Sequence, residues 1–176
     1  VQTDSRKVKS NQLFFALKGP NFDANAFAHQ TIEKGALAAI VDNKTTADAN
    51  QACYLVDDVL ETLQALAHHH RKQFNIPVLA LTGSNGKTTT KALIDTVLST
   101  TYTVLASEGN LNNHIGVPLT LLRLTTAHSH AIIEMGANHL KEIAFLCEIA
   151  QPTYGLITNV GKAHLEGFGS EEGVLQ

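Results

Sequence analysis

One stretch, PVLALTGSNGKTTTKALIDTVLST from Pro77, constrains the fold of this chain more than any other. Val78 to Thr82 is an apolar run of strand length, and Gly83-Ser84-Asn85-Gly86-Lys87-Thr88 is a turn bracketed by glycines. From Thr88 onward Leu93, Ile94, Val97 and Leu98 share one face at helical spacing, which predicts a helix with that face inward. Strand, glycine loop and helix start together make a phosphate cradle. Glycines let backbone N–H groups converge on anionic oxygens, and the free N–H groups and dipole of the helix favour negative charge there. Gly83, Ser84, Asn85, Gly86, Lys87, Thr88 and Thr89 are therefore the expected ATP-binding residues. Lys87 is expected to reach the β- and γ-phosphates, and the Thr88 hydroxyl to ligate Mg²⁺. The pattern is the short G-x-x-G-K-T-T form, since the first glycine of the longer G-x-x-x-x-G-K-[ST] pattern would fall on Leu81. A chance glycine turn before a lysine is the bland alternative; the flanking strand and helix weigh against it.

After this unit the chain keeps alternating. YTVLA (102–106), HAIIEMGA (130–137) and YGLITNV (154–160) read as strands. Between them, SEGNLNNHIGVPLTLLRL reads as a loop feeding a helix with Pro118 in its first turn, Leu119 and Leu122 facing inward. HLKEIAFLCEIA (139–150) reads as a helix with Leu140, Ile143, Ala144 and Cys147 on its inner side. Repeated strand–helix units predict a mainly parallel sheet flanked by helices, of the P-loop NTPase-like kind.

Ahead of Pro77 the pattern is similar but smaller. QLFFAL (12–17), ALAAIV (36–41) and CYLV (53–56) are strand candidates, GPNFDAN (19–25) reads as a turn, and AFAHQTIEKGA (26–36) as a helix. In DDVLETLQALAHHHRKQF, Val59, Leu63, Leu66, Ala67 and His70 recur at helical spacing, with acids first and bases last, complementing the helix dipole. His68, His69 and His70 do not make a metal site, because adjacent helical side chains diverge by about 100°; a solvated basic helix end is expected. The fold class is α/β: a small N-terminal domain over 1–75, then part of a phosphate-loop domain over 76–176.

Composition adds exclusions. With 44% apolar and 16% charged residues the chain can bury a core, and a net charge of −3 without a basic stripe gives no case for nucleic acid or an anionic membrane. No apolar run is of bilayer-spanning length. Cys53 and Cys147 stand in unrelated apolar contexts and read as small buried hydrophobes. A cytoplasmic, monomeric enzyme is expected. Val1 in place of an initiator methionine, and a helix just beginning in SEEGVLQ at the other end, suggest a piece trimmed from a longer protein.

Three further features fall where an open parallel sheet gathers ligands, at the carboxyl ends of its strands. Glu134 ends an apolar strand and can hold Mg²⁺ against nucleotide phosphates; its bland alternative is a strand-end acid facing water. GNLNNHIG, with Asn110, Asn112, Asn113 and His114, suits a polar ligand or simple turn chemistry. His164 lies in a glycine-rich loop past the last strand, and spacing alone does not decide its role.

TGSNGKTT resembles the phosphate loop of the Mur ligase family. GNLNNHIGVPLTLL, EMGANHLKEIAFLCEIAQP and TNVGKAHLEGFGSEEG resemble the motifs that follow it, while TDSRKV and LFFALKGPNFDANAF are similar to the family's N-terminal uridine-nucleotide domain. The resemblance covers essentially the whole chain. It implies an ATP-dependent ligase joining D-alanyl-D-alanine to UDP-N-acetylmuramoyl-tripeptide through an acyl phosphate, in bacterial peptidoglycan precursor synthesis. By the same resemblance Lys87, Glu134 and His164 would be catalytic, and Thr88, Glu134 and His164 would hold Mg²⁺. Ser5, Arg6 and Lys18 would line the uridine-diphosphate pocket, and Asn112 and Asn113 would contact the sugar nucleotide. Family members often show D-G-H-x-F where this chain has Asp23-Ala24-Asn25-Ala26-Phe27, so one pocket contact is changed. They also continue into a third, Rossmann-like domain, preceded by a lysine just past position 176, so these residues alone are expected to bind ligands weakly and not to ligate. Another Mur-type ligase, a folate-polyglutamylating relative, or a non-catalytic nucleotide-binding module are the alternative readings.

Overall fold

The computed structural model describes residues 1–161, which form two compact units, Val1–Leu63 and Gln64 onward. The first is built on a parallel three-stranded sheet of β1 (Leu13–Phe15), β4 (Ala38–Val41) and β5 (Cys53–Leu55), in the order β1-β4-β5. Phe14, Ala16, Ala39, Val41 and Cys53 supply its core together with Ala24 and Ala28. Small residues dominate there, so helix α1 (Ala28–Glu33) can lie close to the strands. Between β1 and α1 the expected turn contains a two-stranded hairpin, β2 (Lys18–Gly19) against β3 (Phe22–Asp23). The expected helix over 26–36 is instead a 3₁₀ turn, Ala24–Phe27, followed by α1. Asp23 sets that start: its carboxylate accepts the Asn25 N–H and caps the 3₁₀ turn. Helix α2 (Lys44–Asp48), capped by the Asn43 side chain, gave no apolar signal in the sequence, and none of its residues is buried.

Helix α3 (Val59–Arg71) carries the expected stripe. Val59, Leu63 and Ala67 are buried, and Arg71 continues the row. The break between compact units falls at Leu63/Gln64, inside this helix, whereas the sequence reading set it at 75/76. The basic end of α3 is not simply solvated. His68 Nδ1 lies 3.3 Å from the Ile149 carbonyl and His70 Nε2 lies 3.0 Å from that of Leu124. Arg71, 6% exposed, donates to the Ala150 carbonyl at 3.0 Å and to that of Phe74 at 2.6 Å. Adjacent histidines do diverge: His68 and His70 turn onto backbone acceptors, and His69 between them is exposed.

The second unit is a parallel four-stranded sheet in the order β7-β8-β6-β9, with β6 Val78–Thr82, β7 Val104–Ala106, β8 His130–Glu134 and β9 Tyr154–Ile157. Helices α4 (Lys87–Leu98), α5 (Gly116–Leu121) and α6 (Glu142–Ala150) make the crossovers. Strand β6 sits between β8 and β9, so the chain leaves β6 toward one side and later returns on its other side. Such a reversal opens a crevice at the carboxyl ends of the strands. Val78, Leu81, Ile133, Met135, Leu121, Leu124 and Leu146 form the core, all nearly inaccessible to solvent.

Two helix faces differ from expectation. In α6 the deepest residues are Leu146, Ile149 and Ala150; Ile143 and Cys147 flank them half-buried, and Ala144 is exposed. In α4, Leu93 and Val97 are 64% and 67% exposed, and the only buried residue is Lys91. The apolar period does not mark the buried side of this helix, which carries Lys91 instead. Both cysteines are free, and burial pushes both thiols up, consistent with small core residues. Among the described residues no helix is long and apolar enough to cross a membrane.

Candidate functional site

The glycine loop grows out of β6. Gly83 has φ +133°, and a Cβ there would overlap Thr158 Oγ1 and lie 2.9 Å from the Asn159 carbonyl, so the first loop residue has no room for a side chain. Gly86, at φ +78°, turns the chain into α4 as its N-cap. That helix start has no side-chain cap, which leaves its first N–H groups directed outward for a ligand. The segment after β9 pins the loop from behind. Ser84 N donates to the Asn159 carbonyl (3.1 Å), Asn85 N to Asn159 Oδ1 (3.0 Å), and Thr158 Oγ1 to the Asn85 carbonyl (2.7 Å). Gly161 N donates to Ser84 Oγ at 2.9 Å. Lys87 folds back across the loop, donating to the carbonyls of Gly83 (2.6 Å) and Ser84 (3.4 Å). These contacts fix the loop's path from both flanks.

Glu134 stands beside it. At the end of β8, paired in register with Leu81 of β6, it is 2% exposed. Its N–H donates to Ser107 Oγ at the end of β7 (3.0 Å), which fixes the backbone. Its Oε1 accepts from Thr88 Oγ1 (3.3 Å) and Asn112 Nδ2 (3.1 Å). Oε2 lies 3.0 Å from Lys91 Nζ, and no other described residue donates to it. The carboxylate is thus charge-compensated by a single buried lysine. Lys91, the buried residue of α4, faces this acid, while Leu93 and Val97 lie on the exposed side of the helix.

Two family models match this chain. The Mur ligase middle domain covers residues 81–176, and the Mur ligase family catalytic domain covers residues 1–71. The chain belongs to the Mur ligase family. Across 180 residues it is 46% identical to the UDP-N-acetylmuramoyl-tripeptide–D-alanyl-D-alanine ligase of Haemophilus influenzae, covering all of this chain and 39% of that one. A crystal structure of MurF from Acinetobacter baumannii superposes with a TM-score of 0.92 at 43% identity, over 99% of this chain and 38% of that one. MurF ligase from Thermotoga maritima, in complex with ADP, matches at TM-score 0.89 and 35% identity, over 99% of this chain and 40% of that one. The chain therefore spans about two fifths of the length of these relatives.

In this Mur ligase chain, the residues expected to contact the sugar nucleotide make contacts within the fold. Arg6 forks onto Asp4, with Nε and Nη2 each 2.9 Å from a carboxylate oxygen, and that hydrogen-bonded pairing lowers the Asp4 carboxyl to about 2. The Ser5 carbonyl accepts from Lys34 Nζ at 3.3 Å. Lys18 Nζ lies 2.8 Å from Asp42 Oδ1. Asn25, where relatives often carry histidine, is 4% exposed and donates through Nδ2 to Asp23 Oδ1 and Asp42 Oδ1, both at 2.7 Å. Burial alone would raise the Asp42 carboxyl, yet hydrogen bonds from Lys18 and Asn25 hold it below its ordinary range. Asn113 Oδ1 accepts the N–H groups of Ile115 and Gly116 and starts α5, while Asn112 belongs to the Glu134 cluster. His164 lies outside the described residues.

Sequence reasoning missed Lys91, Ser107, Thr158 and Asn159. Lys91 had one usable signal, its spacing of three from Thr88, which puts both on one side of α4. The other three act through positions that only the sheet order brings together. Among the described residues no three His, Cys, Asp or Glu side chains gather as a metal site. The oxygen donors do fit Mg²⁺, which keeps several waters and takes one or two carboxylates beside phosphate oxygens. A buried carboxylate in contact with the Thr88 hydroxyl is such a donor set.

Proposed function

We propose that this chain is the sugar-nucleotide and ATP-binding portion of a ligase that joins D-alanyl-D-alanine to UDP-N-acetylmuramoyl-tripeptide. The observation that carries the reading is the contact of Thr88 with Glu134 at the mouth of the pinned glycine loop. In the proposed reaction a carboxylate oxygen of the tripeptide attacks the γ-phosphorus of ATP, and ADP leaves. The dipeptide amine then adds to the carbonyl carbon of the acyl phosphate, phosphate departs with the C–O bonding pair, and the amine proton is lost to base.

The chain's own residues supply positioning and charge. Loop N–H groups at the start of α4 would hold the phosphates, and Lys87 would exchange its loop carbonyls for β- and γ-phosphate oxygens. Thr88 and Glu134 would hold Mg²⁺, as would His164 on the resemblance alone; the ion would offset the repulsion between two anionic reactants. Ser5, Arg6 and Lys18 are proposed for the uridine diphosphate, and Asn112 and Asn113 for the sugar-nucleotide side. Holding the reactants in line is worth several kcal/mol by itself. Turnover is proposed for a ligase of the relatives' full length, acting as a cytoplasmic monomer.

The test is calorimetric titration of the protein with ADP and Mg²⁺, then with UDP-N-acetylmuramoyl-tripeptide and UDP-glucose. Binding of ADP and of the muramyl nucleotide, but not of UDP-glucose, is expected. Equal binding of UDP-glucose would overturn the substrate assignment, and absence of ADP binding would overturn the nucleotide site.

A further inference from the structure

We propose that Lys91 is a tethered counter-ion for Glu134, supplying the positive charge that a divalent cation takes over only when nucleotide brings it in. This rests on the nucleotide-site reading above. Both partners are deeply buried, Lys91 at 6% and Glu134 at 2% exposure. A carboxylate at that depth needs an opposite charge, because water no longer solvates it. Among the described residues Lys91 is the only cation within 4.0 Å of it.

The contact neutralises the acid from one side. Among the described residues Lys91 Nζ, 3.0 Å away, is the group that faces Glu134 Oε2, and the ammonium's hydrogen bond to the Gly109 carbonyl is long, at 3.5 Å. A buried ammonium ordinarily uses its three donors. Oε1, by contrast, is held by Thr88 and Asn112. Lys91 follows Thr88 by three residues on α4, so the ammonium and the proposed metal-ligating hydroxyl address the same carboxylate from one helix face. With Lys91 present, Glu134 offers no net charge to a free cation. Nucleotide phosphates restore the negative charge, so cation binding becomes conditional on nucleotide. Lys91 is in this sense a positioning residue that acts through Glu134.

Thermal unfolding of the protein titrated with Mg²⁺, alone and with saturating ADP, tests this. The wild type is expected to respond to Mg²⁺ with ADP and scarcely to Mg²⁺ alone. Lys91→Met should lower the Tm of the metal-free protein and create a response to Mg²⁺ alone, with half-saturation at about tenfold lower Mg²⁺ than wild type, from loss of one nearby positive charge. Lys91→Arg, which keeps the charge, should behave as wild type. The pair Lys91→Met with Glu134→Gln should regain Tm and lose the response to Mg²⁺. A lower Tm with an unchanged Mg²⁺ response in Lys91→Met would make Lys91 merely structural and overturn the proposal. If Lys91→Met does not fold, the double variant decides: its folding supports the counter-ion role and its failure overturns it. A wild type that ignores Mg²⁺ with ADP would instead overturn the nucleotide site itself.

Discussion

Two clusters of lysine, asparagine and carboxylate occur in this chain, one in each compact unit, and they are built differently. Around Lys18, Asp23, Asn25 and Asp42 the carboxylates are partly open to solvent and their oxygens take hydrogen bonds from Asn25 and Lys18 at 2.7 to 2.8 Å. Around Lys91, Asn112, Thr88 and Glu134 the carboxylate is sealed from solvent, and among the described residues its charge is met by a single lysine at 3.0 Å. Where water still reaches the acids, it shares in solvating them, and the cluster serves mainly to hold the backbone in place. Where water is excluded, the acid depends on its few partners, and a ligand that changes the local charge changes its energy. The first reads as architecture, the second as a site poised for charged ligands.

If that contrast is right, changes near Glu134 should strike binding and changes near Asn25 should strike stability. The largest effect is expected from Lys87→Ala. Loss of its charge-assisted contacts should weaken ADP binding about 100-fold, roughly 3 kcal/mol, in a calorimetric titration with Mg²⁺. Its far-UV spectrum and urea midpoint should stay close to wild type, because its present acceptors are loop carbonyls that water can also reach. A matching collapse of stability would place Lys87 with the architecture instead. Next comes Gly83→Ala. The new Cβ would overlap Thr158 Oγ1 in a backbone conformation that side chains rarely adopt, at a cost of about 1–3 kcal/mol. The loop should shift rather than the sheet unfold, so ADP binding should fall more than the urea midpoint does.

How much of this was legible in the sequence depends on what fixes each feature. β6 was read at its observed bounds, Val78–Thr82, because a buried parallel strand is a continuous apolar run between breakers. The glycine loop was legible for the same local reason: Gly83 and Gly86 are required by backbone angles that few other residues take. The inner face of α4 was not legible. Leu93 and Val97 carried the apolar period, but Lys91 is buried beside a carboxylate 43 positions later, and periodicity weighs only the helix's own residues. Ser107, Thr158 and Asn159 were invisible alike, since their partners are set by the strand order β7-β8-β6-β9. Asn25 was noticed as a departure from the family pattern, yet its bonds to Asp23 and Asp42 required the hairpin that the sequence presented as a turn.

On the other side of the comparison, Asn25→Ala should cost about 1–2 kcal/mol in urea unfolding, because two carboxylates lose a shared donor but regain water. ADP binding should be unaffected. A loss of UDP-N-acetylmuramoyl-tripeptide binding without a loss of stability would move Asn25 from architecture to recognition. Acid should act on the same cluster. Asp42 holds its proton less readily folded than unfolded, so between its folded value and the ordinary carboxylate range near pH ~4 the unfolded chain binds more protons. Its stabilisation is present above about pH 4 and fades as pH falls through the folded value. Lys18, raised by its hydrogen bond to Asp42, works in the opposite sense: its contribution is present below its ordinary range and fades only as strong alkali carries pH through its folded value. A urea midpoint that drops below pH 4 in wild type, and drops less in Asp42→Asn, is the expected pattern.

The smallest effect on stability, and the sharpest separation of the two roles, is expected at Arg6. Its guanidinium is 85% exposed while forking onto Asp4. A solvent-exposed pair of this kind adds little to folding, since ordering a long side chain offsets most of the attraction. A two-pronged arrangement on a carboxylate is also the geometry with which arginine grips a phosphate. Arg6→Gln should therefore leave the urea midpoint unchanged at neutral pH. It should weaken binding of UDP-N-acetylmuramoyl-tripeptide by only several-fold, because in the wild type the phosphate must displace Asp4 before Arg6 can bind it. Asp4→Asn frees the guanidinium from that competition and should tighten the same ligand. If neither substitution moves the titration, Arg6 and Asp4 pair with each other alone, and the uridine-diphosphate pocket must be built on other residues of the first unit.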